Sequence, residues 1–207
     1  MTTVYLMRHS ERLKEKGIVI NNDSAQLTNE KNILSIVGEE KARKLSENEE
    51  LQNIDVLWCS AYVRAKQTAK YIADKNNIDM NVDFNLNERK LGDIDEINKI
   101  MEDSKVDYSY TQIYKRDLKA TGGESALDVM NRMNNAINRI ISENKDKRIA
   151  IVSHGAALKF YLVQFCEVVD ELYLKYNGKR LSFEAPCLIK MTLDDNNEII
   201  DIKNIEL

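Results

Sequence analysis

The chain of 207 residues has the length of one globular domain of ordinary size. It is 43% hydrophobic and 31% charged, with a formal net charge of -4 at pH 7, which is typical of a soluble globular protein. A general nucleic-acid binder would usually carry a dense basic patch, and the sequence has none. No apolar stretch is long enough to span a bilayer, and the first seven residues are too short and uncharged for a signal peptide. We therefore expect a single cytoplasmic domain over residues 1–207, with no nucleic-acid or membrane partner.

The cysteines and histidines give no sign of a metal centre. Cys59, Cys166 and Cys187 are far apart, odd in number and without metal-ligand spacing, so we expect buried, reduced thiols. No Asp or Glu stands at a fixed spacing to either histidine that would complete a metal site. We therefore expect neither a metal nor a cofactor, and the oligomeric state is left open.

Three short apolar runs, at residues 4–7, 54–58 and 149–152, each end in polar residues and precede a helical stretch. Runs of this length between polar turns are typical of buried strands. Residues 80–84 form a weaker apolar run, which predicts an edge strand. These four strands are the expected framework of a central sheet.

Helical spacing of apolar residues fills the gaps between the strands. Residues 61–75 are expected to form a helix with Ser60 as its N-cap. A helix is also predicted over residues 34–48, with small or apolar residues at Leu34, Val37, Ala42 and Leu45. A third helix, over residues 125–144, opens with Ser125 and Asp128 in capping-box spacing. Its expected buried stripe is Leu127, Met130, Met133, Ala136 or Ile137, and Ile140.

Strands that alternate with helices predict an α/β fold. We expect a three-layer sandwich with a mostly parallel central sheet, helices on both faces and a C-terminal antiparallel hairpin. The hairpin is predicted from residues 186–193 and 198–205, which flank a polar turn. Residues 93–121 are the least regular part and are interpreted as a lid or insertion. Its tyrosines, Tyr108, Tyr110 and Tyr114, are expected to pack rather than to contact substrate.

Polar and charged side chains directly follow three of the predicted strands. They are Arg8 and His9, then Ser60 with Arg64, then Ser153, His154 and Gly155. In open α/β sheets, ligands bind beyond the carboxyl ends of the strands. The chain contains only two histidines, and both fall at such ends. This coincidence favours a functional site over two incidental histidines.

Two histidines beside two arginines suit phosphoryl transfer. Neutral imidazole is a nucleophile near neutral pH, and arginine forks match phosphate oxygens in bidentate geometry. Helix N-termini after Ser60 and Ser153 are expected to add N–H donors for an anion. Glu88 follows the fourth strand, and its acid form would be favoured near a phosphate dianion, as a general acid requires. Taken alone, a glutamate in such a position is more often a solvated loop charge.

Six short segments in chain order, within residues 4 to about 160, together resemble the histidine phosphatase superfamily. Residues 8–11, Arg-His-Ser-Glu, resemble its Arg-His-Gly-Glu signature, and residues 34–38, Leu-Ser-Ile-Val-Gly, look like its Leu-Ser/Thr-x-x-Gly helix start. Residues 60–69, Ser-Ala-Tyr-Val-Arg-Ala-Lys-Gln-Thr-Ala, are similar to its Ser-Pro-Leu-x-Arg-Ala-x-Gln-Thr-Ala segment. The remaining similarities are Leu86-Asn87-Glu88 to its Leu-x-Glu block, Gly122-Gly123-Glu124-Ser125, and Ser153-His154-Gly155.

The resemblance implies a phosphatase with defined roles at the matching positions. His9 would be the nucleophile that becomes phosphorylated, and Glu88 the proton donor. Arg8 and Arg64 would bind the phosphoryl oxygens, and His154 would stabilise the transferring group. Further candidates for substrate contacts are Arg89, Glu124 and Ser125, with Glu124 the next candidate for the acid. The implied partner is a small-molecule phosphate ester, and no cofactor is implied.

Three departures from the family pattern bear on activity. Ser10 replaces the Gly of the signature, which makes the backbone near His9 more constrained. Glu15 stands where the family often has a phosphate-contacting Asn; either Asn21 or Asn22 takes over that role, or Glu15 points away from the site. Ala61 replaces a Pro that is favoured but not required at the first helical position.

Two alternatives to a phosphohydrolase remain open at this stage. A cofactor-dependent phosphoglycerate mutase would use the same site, and Asn98-Lys99 looks mutase-like, but residues 11–34 contain no Trp. We expect the acidic lid to disfavour a doubly phosphorylated intermediate; its acidic residues are Asp93, Asp95, Glu96, Glu102, Asp103 and Asp107. The other alternative is a phosphate-binding or partner-binding module with little turnover.

Overall fold

The computed structural model of the chain describes residues 1–13, 24–169 and 173–207. Within them, the strands are β1 (Thr2–Arg8), β2 (Val56–Cys59), β3 (Met80–Val82), β4 (Arg148–Ser153), β5 (Glu167–Val169), β6 (Tyr173–Tyr176), β7 (Lys179–Leu181), β8 (Cys187–Leu193) and β9 (Ile199–Ile205). The α-helices are α1 (Ala25–Lys31), α2 (Ile36–Ser46), α3 (Val63–Asn76), α4 (Ile94–Ser104), α5 (Tyr108–Tyr114), α6 (Ala126–Glu143) and α7 (Gly155–Leu162). Two short 3₁₀ turns lie at Glu49–Leu51 and Phe84–Leu86.

Six strands form the central sheet in the order β3-β2-β4-β1-β8-β9. The four strands β3, β2, β4 and β1 are parallel, while β8 and β9 join as the antiparallel hairpin. Strand β3 lies at the edge, as the weak pattern of residues 80–84 predicts. The predicted mostly parallel sheet with its C-terminal hairpin is therefore confirmed.

Alternate residues of β1 face opposite sides of the sheet, because successive side chains of a strand point to opposite faces. Val4 and Leu6 pack in one core with α6 and α7, while Tyr5 and Met7 pack in a second core with α2 and α3. The sheet is thus covered on both faces. The predicted three-layer α/β sandwich is confirmed, and the loops at the carboxyl ends of β1, β2 and β4 are left free to build a site.

Three details of the helix predictions are wrong. Helix α3 begins at Val63 with Tyr62 as N-cap, and the Ser60 hydroxyl lies before it, where it accepts the amide of Tyr62 and donates to the side chain of Asn87. In α6 the capping box of Ser125 and Asp128 forms as predicted, but Leu127 is 39% exposed. The buried face of α6 instead begins at Ala126 and Val129. In α2, Val37 is likewise exposed.

The lid over residues 93–121 is more regular than its sequence suggests. It holds α4 and α5, and the N-cap residues Asp93 and Asp107 accept backbone N–H groups of each first turn. Tyr108 is buried, packs with Ile97 and Ala120, and confirms the packing role predicted for it. Tyr114 is exposed and contacts the ring of Tyr110 edge-on.

The second sheet, β5-β6-β7, is antiparallel and was not predicted. Its β6-β7 turn, Asn177-Gly178, has positive φ at both residues, the backbone of a two-residue hairpin. The inward side chains Leu174 and Leu181 join the main core. Within the described ranges, every helix is too short or too polar to span a bilayer.

Candidate active site

The ends of β1 and β4 bring the two histidines together. Arg8 and Ser153 are paired residues of the parallel ladder, and the His9 amide donates to the Ser153 carbonyl at 2.9 Å. His154 follows directly as the N-cap of α7. The centroids of the two imidazole rings are 5.1 Å apart in an edge-to-face arrangement. Both strand ends predicted from the sequence therefore open into one site.

The contacts of His9 define its tautomer. Its Nδ1 lies 2.7 Å from the backbone carbonyl of Ser10, which can only accept a hydrogen bond, so Nδ1 carries the proton. Its Nε2 accepts a hydrogen bond from Nε of Arg64 at 2.9 Å. The lone pair of His9 is therefore on Nε2, the nitrogen that faces Arg64.

His154 has the opposite tautomer. Its Nδ1 lies 3.1 Å from Nη2 of Arg64, which has only protons to offer, so Nδ1 is the acceptor. Its Nε2 then donates to the Ser60 hydroxyl at 2.7 Å, and that hydroxyl donates to the side-chain oxygen of Asn87 at 2.8 Å. This chain of hydrogen bonds holds the imidazole of His154 in one orientation.

Arg64 is the centre of the arrangement. It lies in the first turn of α3, is 2% exposed, and donates to both histidines and to the carbonyl of Asn29. Burial lowers the pKa of Arg64 to about 10, and the neighbouring Glu88 opposes the decrease, so the guanidinium is charged at neutral pH. Three of its five N–H donors are used in these bonds, which leaves two for an anion.

Both imidazoles are held neutral. Burial lowers the pKa of His9 well below its usual value, and the positive charge of Arg64 lowers it further. The pKa of His154 is lowered well below its usual value by its complete burial, then by His9 and Arg64. A neutral imidazole is the form in which a histidine can attack phosphorus.

Glu88 lies at the N-terminus of α7. One carboxylate oxygen accepts the amides of Arg89 and Ala157 at 2.9 and 3.0 Å, and the other accepts the amide of Ala156 at 3.3 Å. The N–H donors that we expected to serve an anion after Ser153 are thus occupied by this carboxylate. Glu88 lines the same cavity as His9, as predicted for a proton donor.

A cavity of about 440 Å³ opens in front of His9. Its cationic lining residues among those described are Arg8, Arg12, Arg64, Arg89 and Lys159. Two carboxylates, Glu88 and Asp107, face them. Sequence reasoning missed Arg12 and Lys159, which lie three residues after His9 and five residues after His154. The cavity is therefore more positive than the sequence suggests.

The acidic lid does not surround this cavity as expected. Of the six acidic residues of residues 93–107, Asp107 is the one among the described lining residues. Asp93 caps α4, and Glu96 accepts the amide and hydroxyl of Thr121. Five of the six acidic side chains are thus not among the described lining residues, and the repulsion of a polyanion by the lid stays a prediction.

Arg8 crosses the N-terminus of α7 at a glycine. A Cβ atom at Gly155 would lie 3.2 Å from both Nε and the guanidinium carbon of Arg8, so the small residue makes room for this side chain. Nη1 of Arg8 donates to the carbonyl of Phe183, and its buried Nε has no hydrogen-bond partner. The side chain can therefore still donate to a bound anion.

The loop after His9 is fixed to α2. The Ser10 hydroxyl donates to the Gly38 carbonyl at 2.7 Å, and its backbone is outside the left-handed region, so the replacement of Gly brings no strain. A Cβ at Gly38 would lie 2.0 Å from the carbonyl oxygen of Glu11, which explains a glycine at this point of the motif. Glu15, Asn21 and Asn22 lie outside the described residues.

The three further candidates for substrate contacts have different positions. Arg89 is buried, lines the cavity and donates to Ser109 at 2.8 Å and to Gln112. Burial is the largest single influence on the pKa of Glu124 and raises it, but the hydrogen bonds and charge of Arg132, together with the amide and charge of Lys90, outweigh burial and lower the pKa. Ser125 is buried as the cap of α6 and is not among the described lining residues. Of the three, Arg89 alone is placed beside His9.

The chain matches the family model of the histidine phosphatase superfamily (branch 1) over residues 4–197. It therefore belongs to this superfamily, as the resemblance of its motifs indicated. The match includes the strand-end residues, Glu88 and the lid.

Among curated relatives, the probable phosphoglycerate mutase GpmB of Salmonella typhi is 28% identical over 162 residues, which are 76% of this chain and 72% of that protein. Phosphoglycerate mutase-like protein 4 of Arabidopsis thaliana is 30% identical over 134 residues, 61% of this chain and 57% of the relative.

Solved structures with the same fold include a mycobacterial glucosyl-3-phosphoglycerate phosphatase and YhfR of Bacillus stearothermophilus. The first is 17% identical with a TM-score of 0.69, and the alignment covers 98% of this chain and 96% of that chain. The second is 21% identical with a TM-score of 0.70, covering 96% and 94%. At these identities the likeness establishes the fold.

Proposed function

We propose that this chain hydrolyses phosphate monoesters through a phosphohistidine intermediate on His9. The observation that carries the proposal is the tautomer of His9, which puts a neutral, unprotonated Nε2 in a cationic cavity. Membership of the histidine phosphatase superfamily and the fold shared with phosphatases support it. The remaining site residues are assigned by what they can do around that nitrogen.

In the first half-reaction, the phosphoryl group binds between Arg8 and Arg64. Nε2 of His9 gives up its hydrogen bond to Arg64 and forms a bond to phosphorus, and the bond from phosphorus to the ester oxygen breaks. Glu88 supplies the proton that the leaving alkoxide needs. The arginines stabilise the charge on the transferring group, which is the larger part of catalysis in such reactions.

His154 assists from the other side of Arg64. Its N–H is bound to Ser60 and its Nδ1 to Arg64, so it positions the guanidinium in the free enzyme. By holding the guanidinium of Arg64 in this position, His154 stabilises the transferring phosphoryl group through Arg64. In the second half-reaction, Glu88 takes a proton from water, and the oxygen attacks phosphorus and releases His9.

A phosphoglycerate mutase is the second candidate. The five cationic side chains of the cavity favour it, because a doubly phosphorylated intermediate needs positive charge, and two curated relatives carry mutase names. A binding module with little turnover is the remaining alternative. The hydrolase is preferred because transfer to water needs no site for a second phosphate, and residues 11–34 lack the Trp of the mutase pattern.

The discriminating experiment follows two reactions of the wild-type chain by phosphorus NMR. With simple phosphate monoesters, the hydrolase releases inorganic phosphate steadily, and His9→Asn abolishes the release. With 3-phosphoglycerate, with and without bisphosphoglycerate, we expect slow phosphate release and negligible exchange with the 2-isomer. Rapid isomer exchange with little free phosphate would establish the mutase, and no reaction with any ester would overturn both enzymatic candidates.

We also propose that no metal or cofactor takes part. Arg8 and Arg64 supply positive charge where divalent ions do so in other phosphatases. Within the described ranges, no three His, Cys, Asp or Glu side chains lie together as metal ligands would. A cytoplasmic location stays a prediction that rests on the three free thiols.

A further inference from the structure

A second cavity of about 420 Å³ adjoins the cavity of His9. The two cavities share Arg8 and Lys159 as lining residues. The second cavity extends from these two side chains toward the three-stranded sheet, where Tyr173, Arg180 and Ser182 line it. A molecule bound at His9 can therefore reach this cavity along Arg8 and Lys159.

The charge of the second cavity is also positive. Arg8, Lys159 and Arg180 line it, and Glu184 is the carboxylate among its described lining residues. Lys159 is partly buried beside the ring of Phe183, and burial together with the charge of Arg8 lowers its pKa. Three cations against one exposed carboxylate make a place for an anion.

The position of Arg180 in the hairpin brings charge repulsion when no anion is bound. In β6-β7 it lies directly opposite Lys175, on the face away from the buried pair Leu174 and Leu181. Like charges directly opposite each other in a ladder are destabilising. Lys175 has Glu167 opposite it on its other side, whereas Arg180 is on the strand at the end of this sheet. An anion beside Arg180 would offset the repulsion.

Tyr173 holds the guanidinium of Arg180 in place. It lies on the same face of the sheet as Arg180, and the guanidinium lies over its ring. Stacking on an aromatic ring restricts an otherwise mobile side chain and leaves its N–H groups at the edge free to bind a carboxylate or phosphate.

We propose that Arg180, with Lys159 and Tyr173, forms a second anion subsite, so that the chain prefers phosphate esters that carry another negative group at their far end. The inference rests on the proposed function for the orientation of the substrate: its phosphoryl group binds at His9 and its tail at Arg180. The tail is a carboxylate or a second phosphate, since both match an arginine fork.

Binding of non-hydrolysable phosphonates tests the subsite without turnover. Phosphonoalkyl carboxylates of increasing chain length are compared with their carboxamides by calorimetry on the full chain, and α,ω-bisphosphonates form the third series. We expect one chain length at which an anionic tail binds about tenfold more tightly than the amide, a ratio equivalent to about 1.4 kcal/mol. The series with the larger ratio identifies the tail as carboxylate or phosphate.

Variants of Arg180 locate the effect. Arg180→Ala should reduce the affinity ratio several-fold, since Lys159 remains, Arg180→Glu should reduce it further, and Arg180→Lys should retain more of it than Arg180→Ala. Lys179→Ala is the matched control, because it removes a positive charge from the neighbouring exposed residue of the same strand, and the ratio should be unchanged. Arg180 is exposed, so these substitutions should leave the fold intact.

The outcomes separate the subsite from the reaction. Two results would overturn the subsite even if esters are hydrolysed. One is equal binding of carboxylates, bisphosphonates and amides at every chain length. The other is an affinity ratio of anionic tail to amide that is unchanged in Arg180→Ala. A ratio that responds to Arg180, in a chain that releases no phosphate from any ester, would uphold the subsite and overturn the hydrolase.

Discussion

The two histidines should make the fold lose stability as the pH falls below about 6.5. In the unfolded chain each imidazole titrates near that value. In the folded chain the pKa of His9 and of His154 is well below it, because both rings are buried and lie beside Arg64. Below about pH 6.5 the unfolded chain therefore binds protons that the folded chain does not. The free energy of unfolding rises with pH wherever this is so, and it falls on acidification.

The size of the effect follows from proton linkage. Each histidine that stays neutral in the folded state lowers the free energy of unfolding by about 1.4 kcal/mol when the pH falls from roughly 7.5 to roughly 5.5. The two together give about 2.7 kcal/mol. Carboxylates with a lowered pKa, such as Glu50 and Asp128, where hydrogen bonds from lysines are the largest cause, act in the same direction. Their contribution begins nearer pH 4.5, roughly the ordinary range of carboxyl groups, so the histidines dominate the window above it.

Urea denaturation at a series of pH values measures this dependence. The wild-type chain should lose about 2.7 kcal/mol across the window, and His9→Asn should lose about half as much, since one histidine remains. Proton NMR provides a direct check, because the chain has only two imidazole signals to follow. A free energy of unfolding that is constant across the window, or a slope unchanged in His9→Asn, would refute the neutral, buried imidazoles.

Three further predictions concern the acid, the motif glycine and metal independence. Glu88→Gln should lower the rate of hydrolysis of alkyl esters by about 100-fold or more and that of activated aryl esters far less, because only alkyl leaving groups need a proton. Steady-state kinetics that show an equal loss of rate for both classes of ester would assign Glu88 a structural role. Gly38→Ala should lower the free energy of unfolding, measured by urea denaturation, by about 1–3 kcal/mol, because its Cβ would lie 2.0 Å from the Glu11 carbonyl oxygen. The control Val37→Ala, on the exposed side of the same helix, should change the free energy of unfolding by no more than about 0.5 kcal/mol. Phosphatase activity should survive exhaustive chelation, and activity that disappears and returns with a divalent ion would contradict the metal-independent mechanism.

The strand ends of the site were predictable because their signals are local. Apolar runs at residues 4–7 and 149–152 predict β1 and β4, and each run is followed directly by a histidine. The parallel pairing of Arg8 with Ser153 then places both histidines at one edge. Their tautomers were not predictable, because they depend on a contact with Arg64 that joins residues 55 and 90 positions apart in the chain.

Other features were missed although the sequence carried a signal. Asp93 with Glu96 has the spacing of a helix start, and Asn177-Gly178 is a strong hairpin signal, yet short polar segments of this kind lack a long apolar pattern. Lys159 is different: its approach to Arg8 depends on how α7 packs against the sheet, which no spacing in the sequence reveals.

The most direct test of the account is to trap the phosphorylated enzyme. Rapid quench of the wild-type chain with a phosphorus-labelled monoester should place one label on His9, labile to acid and stable to base. His154→Asn should still acquire label on His9, more slowly, because the nucleophile remains, while His9→Asn should acquire none. Label on a serine, or label that persists in His9→Asn, would contradict the assignment of His9 as the nucleophile.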